Sequence, residues 1–421
     1  MEKQGYILGF WERGPGFAEG LGYLPQAMSS KAVTAGLVSA IFGCTGPALV
    51  VIASAQTAGY SFEQIVSWLF GIYFFGGVIS FIMGLYYKQP IIGSFSIPGA
   101  TLMGVALYGF TFNEAVFGFL IASLIIATLA ATGLIGKVMR ILPQPIVMGM
   151  IFGAMLRFGT GIATSVVDGP IVAGSAVLAF FIVPHFLGKK FSPVLCALIV
   201  GVIAAIATGA FAGNVEALRY VPPQLFMPHF NPAIILAVSV PLAIIAIGAE
   251  NAQSYGVLKS QGYTPPVNAM NFICGGMGFV ANSFGAHNLN LAGPMTAICA
   301  SPEGGDDPKD RYAASLMNGV FFGGFGLVAS FALAFIEMAP TQLIGVLAGL
   351  AMINVLLNSV TEAFKSGRCK MGAFFALVTA ASGITVMNIG SAFWALMIGV
   401  TISVLFERED FNALKEEKSK N

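Results

Sequence analysis

The sequence has few charged side chains: Asp, Glu, Lys and Arg together make up 9% of its 421 residues, whereas 57% are apolar. A soluble domain of this length needs a charged surface, so this scarcity excludes one. The 20 basic and 19 acidic residues give a net charge of +1, which provides no excess of positive charge to bind nucleic acid. Apolar stretches of about 18 residues or more recur along the chain, and a lipid bilayer is the solvent that fits them.

Motifs for the common enzyme chemistries are also missing. The five cysteines are scattered, and no two of them have the spacing of a metal or redox pair. There is no Gly-rich phosphate loop ending in Lys and Ser or Thr, no paired His or Cys metal set and no serine nucleophile elbow. The N-terminus lacks the compact apolar core and cleavage site of a signal peptide. These absences argue against an enzyme and against ATP-driven pumping by this chain, and no cofactor or metal is expected.

Apolar segments bounded by Gly, Pro or charge are what the chain has in abundance. Fourteen are found, at residues 33–53, 63–86, 91–109, 113–135, 144–163, 170–187, 193–212, 232–257, 266–283, 289–301, 312–336, 341–362, 371–387 and 390–406. This pattern predicts an all-α polytopic membrane protein.

The positions of Lys and Arg test this count, because short cytoplasmic loops retain positive charge. With a cytoplasmic N-terminus, all of the 20 basic residues except Arg157 and Arg219 fall on the inner side. Adding or removing one span in the middle of the chain would destroy this excess of Lys and Arg on the inner side. We therefore expect a multi-pass protein of the inner membrane with both termini in the cytoplasm. Arg157, near the outer end of segment five, is expected to extend its guanidinium towards the membrane surface.

Segments three and ten differ from ordinary spans. Residues 94–100 read Ser-Phe-Ser-Ile-Pro-Gly-Ala and residues 288–294 read Asn-Leu-Asn-Leu-Ala-Gly-Pro, so polar and apolar residues alternate before a Gly and Pro break. Alternation predicts extended backbone, and the Gly and Pro predict a helix that begins partway across the membrane. Each segment is expected to be a short strand plus a half-helix. The loop charges give the two segments opposite directions, so the half-helix N-termini are expected to meet near the midplane.

A helix N-terminus exposes unpaired N–H groups and carries about half a positive charge, which favours an anion. Broken segments at corresponding positions in two halves are typical of transporter binding sites. We therefore hypothesise a carboxylate substrate between segments three and ten; the alternative is a pair of surface loops rich in Gly and Pro. The candidate substrate-binding residues include Thr45, in the Gly-Cys-Thr-Gly-Pro break of segment one, and Ser96, Pro98, Gly99, Ala100, Asn290, Ala292, Gly293 and Pro294.

Glu250 is an acidic residue expected deep in the membrane. It lies nine residues before Lys259, which corresponds to roughly 13 Å of helix. A carboxylate at that depth is costly unless it is protonated or faces a polar cavity, so Glu250 is a candidate proton carrier. The alternative is a structural carboxylate bonded to the N–H groups of a half-helix. Asn251 and Ser254 join the candidate substrate site, and His287 is expected to be a hydrogen-bonded loop residue.

The chain also shows signs of an internal repeat. Ala58-Gly59-Tyr60 after segment one is matched by Gln261-Gly262-Tyr263 after segment eight, in phase with the pairing of segments three and ten. This predicts that segments one to seven are repeated, inverted, as segments eight to fourteen. The predicted organisation is a cytoplasmic or interfacial leader at 1–30, a first repeat at 31–212, a second repeat at 232–406 and a cytoplasmic tail at 407–421.

Several motifs are similar to those of the benzoate transporter family. They are Ser-Ile-Pro-Gly-Ala at 96–100, the stretch 249–263, Ser-Phe-Gly at 283–285, Thr-Ala-Ile-Cys at 296–299, Ser-Pro-Glu at 301–303, Arg-Tyr at 311–312, Leu-Ala-Gly-Leu-Ala at 347–351 and Gly-Ser-Ala-Phe-Trp at 390–394. The resemblance covers nearly all of the chain beyond the first 30 residues.

The resemblance implies a fold shared with the uracil, xanthine and sulfate permeases. Segments 1–4 and 8–11 would form a core domain, and segments 5–7 and 12–14 a gate domain. It also implies proton-coupled symport of a small aromatic carboxylate such as benzoate, and a homodimer formed through the gate domain. At position 250 the family often has an uncharged amide or similar residue, whereas Glu250 resembles the acidic residue of nucleobase permeases. A nucleobase or other small anion permease therefore stays open, as does a passive channel.

Overall fold

The fold is taken from a computed structural model that describes residues 11–135, 143–187, 193–210, 219–386 and 389–420. The first ten residues of the leader and the ends of predicted segments seven and thirteen, at 211–212 and 387, lie outside the described residues. The helices are α1 (Phe17–Ala27), α2 (Ser30–Cys44), α3 (Gly46–Thr57), α4 (Phe62–Tyr87), α5 (Ile97–Ala106), α6 (Phe112–Ala131), α7 (Gln144–Asp168), α8 (Val172–Leu187), α9 (Pro193–Ala207), α10 (Val240–Ile245), α11 (Ala252–Ser260), α12 (Val267–Asn282), α13 (Gly293–Ala300), α14 (Tyr312–Leu327), α15 (Ala329–Met338), α16 (Thr341–Phe364), α17 (Lys370–Ser382), α18 (Ser391–Phe406) and α19 (Arg408–Lys420).

Two π-helical stretches and four short strands complete the described elements. The π-helical stretches, Ile235–Ser239 and Ala246–Asn251, flank α10 and join it to α11 in one interrupted helix. The strands are β1 (Gly93–Ser94), β2 (Asn290–Leu291), β3 (Thr385–Val386) and β4 (Ile389–Gly390). β1 pairs with β2 and β3 with β4, both antiparallel.

Each of the fourteen predicted segments contains at least one helix in the described residues. Among the described residues, six helical stretches are both apolar and long enough to cross a bilayer, and α14 with α15, which meet at a bend of 61°, would make a seventh span. The rest of the segments form shorter or broken helices. The protein is therefore a mostly helical membrane protein with several apolar spans, and the count of fourteen stays a prediction, as does the inverted repeat.

The long helices begin where side chains cap their free N–H groups. The Ser61 hydroxyl accepts a hydrogen bond from the backbone N–H of Gln64 at the start of α4, and the Gln64 side-chain oxygen accepts one from the backbone N–H of Ser61. Thr111 and Glu114 form the same reciprocal pair at the start of α6. Between α2 and α3 the helix breaks at Thr45, because Pro47 supplies no N–H to continue the α2 ladder.

The helices pack in two groups. In the first, α4 packs on α14, α14 on α2, α6 on α12 and α11 on α13. In the second, α7 packs on α16 and α17, α17 on α18 and α8 on α9. The groups meet where α3 and α5 of the first contact α16 and α7 of the second. We call them the core group and the gate group, after the division that the family resemblance implies; their roles and any relative motion between them stay predictions.

The leader is anchored on the core group. Glu12 is 5% exposed, and its carboxylate accepts hydrogen bonds from the backbone N–H groups of Asn268 (3.0 Å) and Ala269 (2.9 Å), in the first turn of α12. The Tyr87 hydroxyl donates to the backbone carbonyl of Glu12, and the Tyr312 hydroxyl donates to that of Gly20. The leader therefore ties α4, α12 and α14 together.

Helix α7 continues to Asp168, so the predicted end of segment five at residue 163 is five residues too early. Arg157 lies eleven residues before the end of this helix, which corresponds to about 16 Å. Its side chain is exposed, and its Nη2 atom donates to the backbone carbonyl of Thr101 in α5 at 3.1 Å, a contact that the sequence did not predict.

Candidate functional site

The two broken segments meet as the sequence predicted. β1 and β2 form an antiparallel pair in which Gly93 lies opposite Leu291 and Ser94 opposite Asn290. Each strand leads directly into a short helix, α5 or α13. Because the strands are antiparallel and adjacent, the two helices start close together and run in opposite directions. The prediction of a short strand and half-helix in segments three and ten is confirmed.

The two half-helices differ in how their N-termini are capped. In α5 the Ser96 hydroxyl accepts a hydrogen bond from the backbone N–H of Gly99 at 2.9 Å. In α13 the cap residue is Ala292, whose side chain has no hydrogen-bonding group. The first turn of α13 therefore keeps unpaired N–H groups, which together with the helix dipole favour an anion.

Glu250 lies beside the start of α5. It sits in the π-helical stretch Ala246–Asn251, and the Ser96 hydroxyl donates to its Oε1 atom at 3.4 Å. Single π turns within α-helices are frequent at functional sites, because the inserted residue turns side chains out of the regular helical positions. The Ser96 hydroxyl thus connects the N-terminus of one half-helix with the carboxylate of Glu250.

Asn251 and Ser254 hold the interrupted helix against the second broken segment. The Asn251 side-chain oxygen accepts from the backbone N–H of Leu291 at 2.7 Å, and its amide nitrogen donates to Asn271 at 2.7 Å. The Ser254 hydroxyl shares a hydrogen bond of 3.1 Å with that of Thr296 in α13. These contacts fix the Glu250 turn relative to β2 and α13.

Two residues that the sequence did not place in the site, His287 and Asn288, hold the backbone of Ser96. Asn288 accepts from the Ser96 N–H at 3.1 Å, and His287 Nε2 lies 2.9 Å from the Ser96 carbonyl oxygen. The indole N–H of Trp68 donates to His287 Nδ1, so the ring proton of a neutral histidine is on Nε2 and donates to Ser96. His287 is a hydrogen-bonded residue as predicted, fully buried beside the half-helix.

Asn290 has a buried amide without a hydrogen-bond partner among the described residues. The residue is 0% exposed, and neither its oxygen nor its nitrogen is bonded. It lies opposite Ser94, and opposed residues of an antiparallel pair share one face of the ribbon. Ser94 on that face lines a cavity. An unpaired buried amide costs free energy, so this one is suited to a bound ligand or water.

A cavity of about 1300 Å³ lies between the core group and the gate group. Six of the twelve candidate substrate-binding residues line it: Thr45, Pro98, Glu250, Asn251, Ala292 and Pro294. The other six, Ser96, Gly99, Ala100, Ser254, Asn290 and Gly293, are buried behind this surface.

The cavity is open at one end of the molecule. It reaches Gln144, the first residue of α7, and Thr361 and Glu362 in the last turn of α16. Farther along α7, beyond Ile151, no residue of that helix lines the cavity in the described structure. The loop charges predict that the open end faces the cytoplasm.

A deep cavity between two packed groups of membrane helices, with two broken segments meeting in its wall, defines a membrane transport protein. The transmembrane domain of the cyanobacterial bicarbonate transporter BicA has a similar fold, with a TM-score of 0.59 at 12% identity over 89% of this chain and 98% of that domain. A family model described as benzoate membrane transport protein matches residues 26–405, and the chain belongs to that family.

Two curated relatives cover almost the same length. The inner membrane protein YdcO of Escherichia coli (strain K12) is 30% identical over 381 residues, which make up 90% of this chain and 97% of YdcO. The benzoate membrane transport protein of Acinetobacter baylyi is 25% identical over 90% of this chain and 95% of its own length. The family resemblance predicted from the sequence is confirmed, and the chain is a membrane transporter rather than an enzyme.

Proposed function

We propose that this protein is a secondary active transporter that takes up a small aromatic carboxylate such as benzoate together with a proton across the inner membrane. Both termini are cytoplasmic in this proposal, and the cavity is open to the inside. The observation that carries it is the meeting of the two half-helix N-termini in the cavity wall, with Glu250 beside them. The benzoate named for the Acinetobacter baylyi relative agrees with this chemistry.

The substrate carboxylate binds at the N-terminus of α13. Ala292 leaves that turn without a side-chain cap, and Ala292, Pro294 and Met295 line the cavity there. The unpaired N–H groups and the helix dipole supply the positive potential that a carboxylate needs. The Asn290 amide lies on the same ribbon, buried behind the cavity surface, and has no hydrogen-bond partner among the described residues.

Glu250 couples the proton to the substrate. Two carboxylates repel each other, by about 4 kcal/mol at a separation of about 4 Å and an effective dielectric constant of 20, so a substrate carboxylate bound near Glu250 favours the protonated form of Glu250. By linkage, a protonated Glu250 favours substrate binding by the same amount. Substrate and proton therefore cross together, and a proton gradient drives accumulation.

The test is uptake of labelled benzoate into proteoliposomes with and without an inward proton gradient. The protein is compared with Glu250→Gln and with a control, Glu337→Gln, at an exposed position in the last turn of α15. We expect accumulation driven by the gradient in the unmodified protein and the control, and only passive exchange in Glu250→Gln.

Each other outcome has a distinct meaning. No benzoate uptake at any pH refutes the aromatic acid, and competition by uracil or xanthine but not by benzoate identifies a nucleobase permease instead. Accumulation that survives in Glu250→Gln moves the proton site elsewhere. Flux that never exceeds the equilibrium distribution identifies a channel. We also propose a homodimer through the gate group, which the mass of the purified protein in a membrane-mimetic nanodisc tests.

A further inference from the structure

The gate wall of the cavity carries a polar stripe on α16. Asn354, Asn358 and Glu362 all line the cavity, and their spacing of four residues places them on one face of the helix. Both asparagines are exposed to the cavity, and neither amide has a hydrogen-bond partner among the described residues. The two amides are therefore available to a ligand in the cavity.

Contacts of the α2–α3 break place this stripe opposite the half-helices. Gly43, before the break, lies against the Met295 side chain in the first turn of α13. Gly46, after the break, lies against Ala351 of α16, one turn before Asn354. The break thus separates the N-terminus of α13 from the gate wall by about one helix diameter, or roughly 10 Å.

Much of the remaining lining is apolar. On the gate side it includes Val147 and Ile151 of α7, Phe180 of α8 and Leu350 of α16. The cavity therefore offers a carboxylate site on the core wall, apolar lining for an aromatic ring and two amides on the gate wall. Unsubstituted benzoate fits the carboxylate site and the apolar lining. It leaves the amides of Asn354 and Asn358 without a hydrogen-bond partner when the pathway closes and water is expelled.

We propose that Asn354 and Asn358 hydrogen-bond a polar substituent on the far side of the substrate ring, so that the preferred substrates are aromatic carboxylates carrying a ring hydroxyl or amino group. This inference rests on the proposed function. A side-chain amide has both a donor and an acceptor group, so it can donate a hydrogen bond to a ring hydroxyl or accept one from it. Sites that hydrogen-bond a substrate hydroxyl discriminate strongly against analogues that lack it, because the site's own polar groups are then left unpaired.

The test is inhibition of labelled benzoate uptake by two ligands of similar shape, 4-hydroxybenzoate and 4-methylbenzoate. We expect 4-hydroxybenzoate to inhibit about tenfold more strongly than 4-methylbenzoate in the unmodified protein. In Asn354→Leu and Asn358→Leu the ratio of the two inhibition constants falls towards one or reverses. This ratio does not depend on how much of each variant folds.

The control is Leu357→Ala, at an exposed position on another face of the same helix, which keeps the original ratio. Equal inhibition by the two ligands in the unmodified protein overturns the proposal, as does a ratio that both asparagine variants leave unchanged. A failure of the proposed function looks different, because labelled benzoate is then not taken up at all. Inhibition by derivatives with the hydroxyl at the 3-position, measured in the same two asparagine variants, shows which of the two amides is closer to the ring.

Discussion

The contact between Arg157 and Thr101 predicts which side of the transporter is closed. The guanidinium belongs to α7 of the gate group, and the Thr101 carbonyl that accepts its hydrogen bond belongs to the half-helix α5 of the core group. The cavity is lined by α7 up to Ile151 and does not reach Arg157, so this contact lies on the closed side. If the core group moves relative to the gate group to open that side, the contact has to break.

Room for this contact depends on Gly104. A Cβ atom built there would collide with Nη2 of Arg157, and it would also lie 3.1 Å from the Cβ atom of Ser54 in α3. Either Arg157→Met, which keeps the length of the side chain, or Gly104→Ala, which blocks its approach, removes the hydrogen bond. A hydrogen bond to a charged group contributes about 1.5–3 kcal/mol, so the equilibrium should shift by about 10- to 150-fold towards the conformation that lacks the contact.

The assay uses Ser54→Cys as a reporter, because Ser54 is 0% exposed on the closed side. The labelling rate by a membrane-impermeant thiol reagent applied from outside is measured, with the five native cysteines as background. We expect slow labelling of the reporter alone and at least tenfold faster labelling after Arg157→Met or Gly104→Ala. Arg219→Met is the control, since Arg219 is the other basic residue predicted to lie outside. Unchanged labelling in both variants would refute the assignment of Arg157 as a closing contact.

Three further predictions concern the framework of the site. Glu12→Ala should lower the free energy of unfolding by about 2 kcal/mol, because it removes the cap of α12, whereas Glu19→Ala on the surface should change the melting temperature little. Asn288→Leu should weaken benzoate binding, because the backbone N–H of Ser96 at the α5 cap loses its acceptor. Calorimetric titration measures the affinity, and an unaltered affinity contradicts the prediction. Gly77→Ala should destabilise the α4–α14 contact by about 1–3 kcal/mol, because its Cβ would lie 2.5 Å from a backbone oxygen of α14, whereas Gly324→Ala, with nothing within 4 Å, should leave the melting curve unchanged.

The sequence predicted the two broken segments because their signals are local. Alternation over residues 94–97 and 288–291 and the adjacent Gly and Pro specify extended backbone followed by a helix start, whatever the rest of the chain does. Glu250 was found in the same way, since a carboxylate within an apolar segment stands out against its neighbours.

The partners that hold these elements could not be predicted. His287 and Asn288 contact Ser96 across more than 190 residues, and Glu12 caps a helix at Asn268, 256 residues away. Such contacts depend on how the helices pack, and no local pattern specifies them. The π-helical turn at Glu250 has no sequence signal of its own either, and neither does the extension of α7 to Asp168.

The unequal caps of the two half-helices indicate how charge is divided in the site. The α5 N-terminus is already occupied, because the Ser96 hydroxyl accepts from Gly99 and donates to Glu250. The α13 N-terminus is free, because Ala292 has no polar side chain. Under the proposed function, the carboxylate substrate binds at the unpaired N-terminus of α13, and the proton occupies Glu250 at the other half-helix. Asn251 links the helical turn of Glu250 to β2, and β2 leads into α13. We therefore expect protonation of Glu250 to alter substrate binding at α13, and substrate binding to alter the protonation of Glu250.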